Sequence, residues 1–198
     1  MKMNALVAGL ALVLATGAAR AAEPGDRIAN EGTIGDRWAL AEGASLPAPV
    51  YPAHLAARGA NVCLALGYRI GADGSTSGFR VLRQWNSEAG EEQPVEGFWE
   101  AFAQAAADAV SQWRFQPRPG IEPQPTYTVA TLGFEGGREE GGAAVNAHCR
   151  ITDLAARLAE LDQGPARQLD PLRREQERQR EAEHRALMNQ IMSGSGKR

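Results

Sequence analysis

The sequence predicts a small α+β domain followed by a helical tail, and three observations lead to this prediction. Residues 61–70 alternate apolar and smaller or polar side chains with a period of two, as a strand does. Residues 98–113 repeat apolar side chains at three- and four-residue spacing, as an amphipathic helix does. Residues 127–134 alternate again. These patterns favour a small antiparallel sheet packed on one main helix.

Residues 1–21 have the three-part layout of a secretory signal peptide. Lys2 gives a weakly positive start, an apolar run follows, and small residues lead to a cleavage site between Ala21 and Ala22. The apolar run is shorter than the roughly 20 residues that a membrane-spanning helix needs. We therefore expect a cleaved signal and an exported protein, and a retained membrane anchor stays open as the alternative.

The charge balance excludes two classes of partner. The chain has 21 basic and 24 acidic residues, with a formal net charge of −3. No basic patch is available for nucleic acid or for an anionic lipid surface. We expect the partner to be a protein.

Two cysteines, Cys63 and Cys149, stand far apart in the sequence. In an exported chain an even number of cysteines indicates a disulfide. Two free buried thiols are the alternative. A reactive Cys149 activated by His148 is a weaker reading, because a disulfide explains the same residue.

Composition divides the rest of the chain into five segments. Residues 22–47 are predicted to be a short linker, although residues 37–40 around Trp38 could dock on the domain. Residues 48–135 carry the strand and helix patterns. Residues 136–147 are predicted to be a glycine-rich linker, residues 148–192 a helical tail and residues 193–198 a disordered end.

Turn residues order the elements inside the domain. Pro52 begins a short helix that Gly59 ends. Asp73 and Gly74 supply the turn of a hairpin, and a second strand containing Phe79 follows. The main helix then leads into a short strand that proline ends. In the tail, an apolar stripe at residues 151–161 precedes a Gly-Pro break and a densely charged stretch.

In this order the residues resemble the C-terminal domain of the TonB/TolA family, the periplasmic part of energy transducers of Gram-negative bacteria. Five features carry the resemblance, and the last of them is the most specific. They are Tyr51-Pro52 before an alanine-rich helix, the strand at residues 62–70, Asp73-Gly74 before the second strand, the main helix, and Trp113-Arg114-Phe115-Gln116-Pro117. The match covers residues 50–134, and the tail lies outside the family pattern.

The resemblance implies a periplasmic domain that adds an extended partner segment to the open edge of its last strand, a mode called β-augmentation. The corresponding edge here comprises Tyr127, Thr128, Val129, Ala130, Thr131 and Leu132. An exposed edge must be used or covered, so coverage by the linker or tail stays open. The implied partners are outer-membrane receptors or other envelope proteins, together with an inner-membrane energising complex if energy coupling is retained. An unpaired edge also allows a homodimer.

Two readings of function follow. The first is a TonB-like binding domain, with energy transduction for outer-membrane transport as its fuller form. The second is a soluble periplasmic adaptor or structural protein without energy coupling. An enzyme is not expected, because His54, His148 and His184 lie in separate segments and no catalytic motif is present. No cofactor or metal is expected.

Overall fold

A four-stranded mixed sheet forms the centre of the protein. The computed structural model describes residues 22–23, 25–137 and 142–163. The strands of this sheet are β1 (Arg27–Ile28), β3 (Val62–Ile70), β4 (Thr76–Asn86) and β6 (Thr126–Phe134), in the spatial order β1-β6-β3-β4. Strand β3 pairs antiparallel with β4 and with β6, whereas the short β1 runs parallel to β6. The α+β class is confirmed, but the sheet is mixed and not purely antiparallel.

Helix α1, Phe98–Ser111, covers one face of this sheet, as its periodicity predicts. Phe98, Phe102 and Val110 are fully buried against the alternate residues of β3, such as Leu64. Small alanines along the same stripe, including Ala106, allow the helix axis to lie close to the strands. The first face therefore holds the larger of two apolar cores.

Helices α2, Gly142–Cys149, and α3, Leu154–Asp162, cover the opposite face. Val145 and Leu154 are buried there against Ala65 and Val129. Strand β3 was predicted to be half-buried, yet both of its faces are buried because these helices complete a third layer. The layers follow the order α1, sheet, α2–α3.

A disulfide joins the central strand to the covering helix. Cys63 on β3 and Cys149 at the end of α2 are bonded, with their Cα atoms 5.9 Å apart. Beside the bond, the imidazole of His148 stacks on the indole of Trp85 at a ring-centroid distance of 3.9 Å. The disulfide prediction is confirmed, and His148 packs on an aromatic ring instead of activating a thiol.

The prediction of a linker over residues 22–47 is wrong for the part that holds β1 and β2. Strand β2, Trp38–Leu40, pairs antiparallel with β5, Phe115–Pro117, in a second small sheet. Trp38 is 2% exposed, and its indole N–H donates to the Thr126 hydroxyl at 3.0 Å. Docking of the residues around Trp38 is thus confirmed. We call residues 26–40 the N-terminal arm.

The boundaries predicted after β6 also need correction. Helix α2 occupies residues 142–149, most of which were assigned to the glycine-rich linker. The described part of the tail packs on the sheet because the disulfide and the stripe containing Leu154 and Leu158 attach it there. The predicted signal peptide at residues 1–21, residues 164–192 of the predicted tail with His184, and the predicted disordered end at residues 193–198 lie outside the described residues. Within the described ranges no helix has the length and apolarity of a membrane span.

Candidate functional site

The residues that carry the family resemblance meet in the core of the first face. The Tyr51 ring lies edge-on to Phe102, with ring centroids 5.1 Å apart, and its hydroxyl donates to the Ala60 carbonyl at 3.0 Å. Pro52 directly precedes the short 3-10 helix at Ala53–Arg58. Trp113 lies edge-on to Tyr68 at 5.6 Å. These motif residues have packing partners inside the domain.

The hairpin turn and the aromatic motif contact each other through the main chain. The Phe115 N–H donates to the Gly74 carbonyl at 2.9 Å, and Ser75 forms a bridge with Arg114. The Asp73 carboxylate accepts the hydroxyl of Ser75 at 2.7 Å and its N–H at 3.0 Å. These hydrogen bonds hold the pKa of Asp73 below its usual value. Asp73 therefore organises the turn.

Arg114 and Pro117 complete the same motif. The Arg114 guanidinium donates to the Ser111 carbonyl at 2.7 Å, which satisfies an acceptor at the end of α1. Pro117 is the last residue of β5 and lies opposite Trp38 in the pairing with β2. The aromatic motif thus connects α1 to the N-terminal arm.

The edge of β6 that was predicted to be open is occupied at its beginning. The N–H groups of Arg27 and Ala29 donate to the carbonyls of Pro125 and Tyr127, each at 2.9 Å. The β1 ladder then stops at Tyr127. The predicted edge site therefore needs correction, since the outward carbonyl of Tyr127 is already bonded within the chain and only residues beyond it extend past the ladder.

Two anchors hold the arm in this position. The Arg69 guanidinium Nε donates to both carboxylate oxygens of Asp26 at 3.0 Å, and the Asp26 side chain is only 3% exposed. At the other end, the indole of Trp38 is bonded to Thr126. Because both anchors lie beside the start of β6, the arm covers that part of the strand and then turns away at Glu31 and Gly32.

Every second residue of β6 directs its main-chain groups away from β3. The Tyr127 carbonyl and the Thr131 N–H both bond to groups on the β1 side. Val129 lies between them in the same alternation, so its N–H and C=O point to that side, beyond the last β1 pair. The outward groups of Val129, Thr131 and Gly133 form the part of the edge that β1 does not pair.

A glutamate from the arm contacts this second half of the edge. The Glu31 carboxylate accepts the Thr131 N–H at 2.5 Å and the Thr131 hydroxyl at 2.8 Å. Beside it opens a cleft of about 570 Å³ between the arm, β6 and the loop after α2. Its lining includes Glu31, Thr33, Thr131, Asn146, Arg150 and Thr152.

The side chains of β6 point into the two cores, as its alternation predicts. Ala130 and Leu132 pack on the α1 side, whereas Tyr127 and Val129 pack on the α2–α3 side. The Tyr127 hydroxyl is buried and has no hydrogen-bond partner in the described part of the chain, and burial raises the pKa of Tyr127 to about 12. The side chains of these four residues are therefore taken up by the two cores.

Strand β4 forms the opposite edge of the sheet and is less suited to strand addition. A bulge at Leu82 interrupts its pairing, and the Arg157 guanidinium donates to the Leu82 carbonyl at 2.9 and 2.8 Å. Arg80 on the same strand forms an ion pair with Asp162 at 3.5 Å. Bulges and charges of this kind blunt an edge strand.

Sequence reasoning missed three functional candidates: Glu31, Asn146 and Arg150. Glu31 stands in a polar turn of the supposed linker, and the other two lie where α2 ends. Within the described residues, no group of three or more histidine, cysteine or acidic side chains could hold a metal ion. His54 and His148 lie on different elements.

Comparison with known proteins finds matches among solved structures. No family model matches the sequence, and no curated protein matches it. Among solved structures, the chain is similar to the solution NMR structure of Pseudomonas aeruginosa TonB CTD. The identity is 20%, the match covers 57% of this chain and 97% of that chain, and the TM-score is 0.40.

Proposed function

We propose that this chain is a TonB-like periplasmic interaction domain that binds extended segments of envelope proteins by adding them as a strand to β6. One observation carries the proposal. Strand β6 already accepts a strand on this edge, because β1 pairs with its first residues, and the ladder stops while β6 continues to Phe134. A partner strand would continue that ladder along Val129, Thr131 and Gly133.

The structure of the edge supports main-chain recognition. The outward groups of these residues include donors and acceptors at the spacing of a strand, and the Thr131 N–H becomes available to a partner when Glu31 leaves it. On the other side β6 is paired with β3 along its whole length. A partner would therefore meet a fixed template, which lowers the ordering cost of binding. Outer-membrane receptors and other envelope proteins with extended segments are the proposed partners.

Replacing Val129 by proline tests the edge. Proline removes the outward N–H of Val129 without removing a β3–β6 hydrogen bond, because that N–H points away from β3. We expect peptides selected on the wild-type chain from a random peptide library to bind Val129→Pro at least about tenfold more weakly, the worth of one lost hydrogen bond with an unpaired partner. Fluorescence anisotropy measures the dissociation constants.

Val129→Ala is the matched control, because it shortens the same buried side chain and keeps the N–H. Its peptide affinity should stay within a few-fold of wild type. Circular dichroism establishes whether each variant is folded. If Val129→Pro does not fold, amide chemical shifts of the wild-type chain decide: bound peptide should shift the amides of Val129, Thr131 and Gly133 first. Shifts confined to β4, or full binding by a folded Val129→Pro, would exclude the β6 edge.

A soluble adaptor without energy coupling is the second candidate. It is favoured by α2 and α3, which lie outside the family pattern and are tied to the sheet by the Cys63–Cys149 bond. Mass spectrometry of the soluble and membrane fractions of the native envelope separates the two readings. We expect a soluble species beginning at Ala22, which supports the adaptor. A membrane-bound species that retains Lys2 would instead support energy transduction.

A further inference from the structure

The cleft beside Thr131 has the features of a ligand site that the chain fills with its own side chain. The Glu31 carboxylate takes both hydrogen bonds that Thr131 offers, from its N–H at 2.5 Å and its hydroxyl at 2.8 Å. The carboxylate comes from an exposed turn whose next residue, Gly32, has a φ of 78°. A side chain in such a turn can leave without disturbing the anchors at Asp26 and Trp38.

A second observation concerns an acceptor on the wall of the same cleft. The Asn146 Oδ1 atom is buried and has no hydrogen-bond partner among the described residues. A buried acceptor without a donor destabilises the folded protein, and a donor supplied by a ligand would remove that penalty. Asn146 reaches this position over β6 because residue 133 is glycine: a Cβ atom there would lie 2.5 Å from Oδ1. The carboxamide thus stands beside the edge with an unused capacity to bind a main-chain N–H.

The charge of the cleft favours an anionic group in the place of Glu31. Arg150 is exposed on the rim. Arg150 lines the cleft, and if Glu31 turned away, the two donors of Thr131 would be left without their present acceptor. Hydrogen bonds from these groups to a carboxylate are stronger than those to a neutral acceptor.

We infer that Glu31 is a removable plug and that the cleft binds an extended peptide carrying a carboxylate. A main-chain carbonyl of the segment takes the Thr131 N–H as the ladder requires, its carboxylate takes the place of Glu31 at the Thr131 hydroxyl, and a peptide N–H of the same segment donates to Asn146. The carboxylate belongs either to an aspartate or glutamate side chain or to the C-terminus of the partner. This inference rests on the proposed function, since the peptide extends the β6 edge beyond β1.

The test uses the full chain and a library of random peptides with free C-termini. Peptides selected on Glu31→Ala should carry an acidic residue at a fixed position or depend on their terminal carboxylate. They should bind Glu31→Ala about tenfold or more tightly than wild type, because the internal competitor is gone. Adding Asn146→Ala to Glu31→Ala should weaken binding about tenfold. Glu42→Ala, at an exposed position outside the cleft, is the matched control and should bind as wild type does.

Peptide variants separate the two sources of the carboxylate. Replacing the acidic side chain by its amide abolishes the gain if a side chain supplies the group, whereas amidating the C-terminus abolishes it if the terminus does. If neither change to the peptide abolishes the gain in affinity, the inference is overturned. A Glu31→Ala chain that binds no peptide and dimerises in sedimentation experiments also overturns it, because a second copy is then the occupant.

Failure of the inference can be told apart from failure of the proposed function. If selected peptides are sensitive to Val129→Pro but show no preference for a carboxylate and no dependence on Asn146, strand addition stands and the plug is wrong. If no peptide is sensitive to Val129→Pro in folded protein, both are wrong.

Discussion

Replacing Cys149 by serine is expected to lower the free energy of unfolding by about 3–5 kcal/mol. The bond connects residues 86 positions apart, so its loss frees a long loop in the unfolded chain. In the folded protein the substitution also leaves a serine hydroxyl where Cys149 is 0% exposed. Urea denaturation of the oxidised wild type and of Cys149→Ser measures the difference.

The loss should begin at the second face. Helices α2 and α3 have only the smaller core, and the bond fixes α2 directly to β3. Hydrogen exchange in Cys149→Ser is therefore expected to rise first in Gly142–Cys149 and Leu154–Asp162, with α1 still protected. Cys63→Ala/Cys149→Ala, which buries no hydroxyl, serves as the control for the polar contribution. A change below about 1 kcal/mol in both variants would contradict a stabilising role for the bond.

Among glycine-to-alanine substitutions in the turns, Gly74→Ala is expected to lower the free energy of unfolding the most. Gly74 has a φ of 78°, and a Cβ atom there would lie 1.8 Å from the Phe115 carbonyl oxygen. That oxygen belongs to the main chain, which cannot rotate away as a side chain can. We expect Gly74→Ala to lose about 3 kcal/mol or more, because strain at positive φ adds to a backbone clash.

Gly90→Ala is the matched control for this substitution. Gly90 has a φ of 68°, but nothing lies within 4 Å of its added Cβ. Gly90→Ala should lower the free energy of unfolding by about 1–2 kcal/mol, because alanine must adopt the left-handed backbone conformation there. Thermal unfolding of both variants gives the comparison. Equal losses would mean that the contact between the hairpin turn and Phe115 contributes nothing, and that the motif residues are joined in another way.

The same contact at Gly74 joins two separate motifs of this chain. Asp73-Gly74 and the segment at residues 113–117 are far apart in sequence, yet the Phe115 N–H bonds to Gly74. The residue after Asp73 must be small and must accept positive φ. Two of the motifs noted from the sequence are therefore in direct contact, although the sequence offers no measure of the distance between them.

Local patterns were sufficient for the elements that pack on the first face. Strand β3 and helix α1 can be predicted from the sequence because each is long enough to repeat its hydrophobic period several times. Burial of a face of the element requires that repeat. The same holds for β6. Strand β1, by contrast, has two residues and no room for a period. Helix α2 has apolar residues on all sides and no apolar stripe, so most of it was predicted to be a linker.

The sequence by itself determined the α+β class, the main helix, the hairpin turn and the last strand, and it favoured a bond between Cys63 and Cys149 that the tertiary structure then showed. Only the tertiary structure decided that the N-terminal arm begins the β6 ladder, that Glu31 meets Thr131 across 100 positions, and that Asn146 lies beside them. The physical reason is the sequence distance over which each feature forms. Periodicity within one segment predicts which face of a single helix or strand is buried. The β6 edge and its cleft instead arise from main-chain groups and polar side chains that segments far apart in sequence bring together.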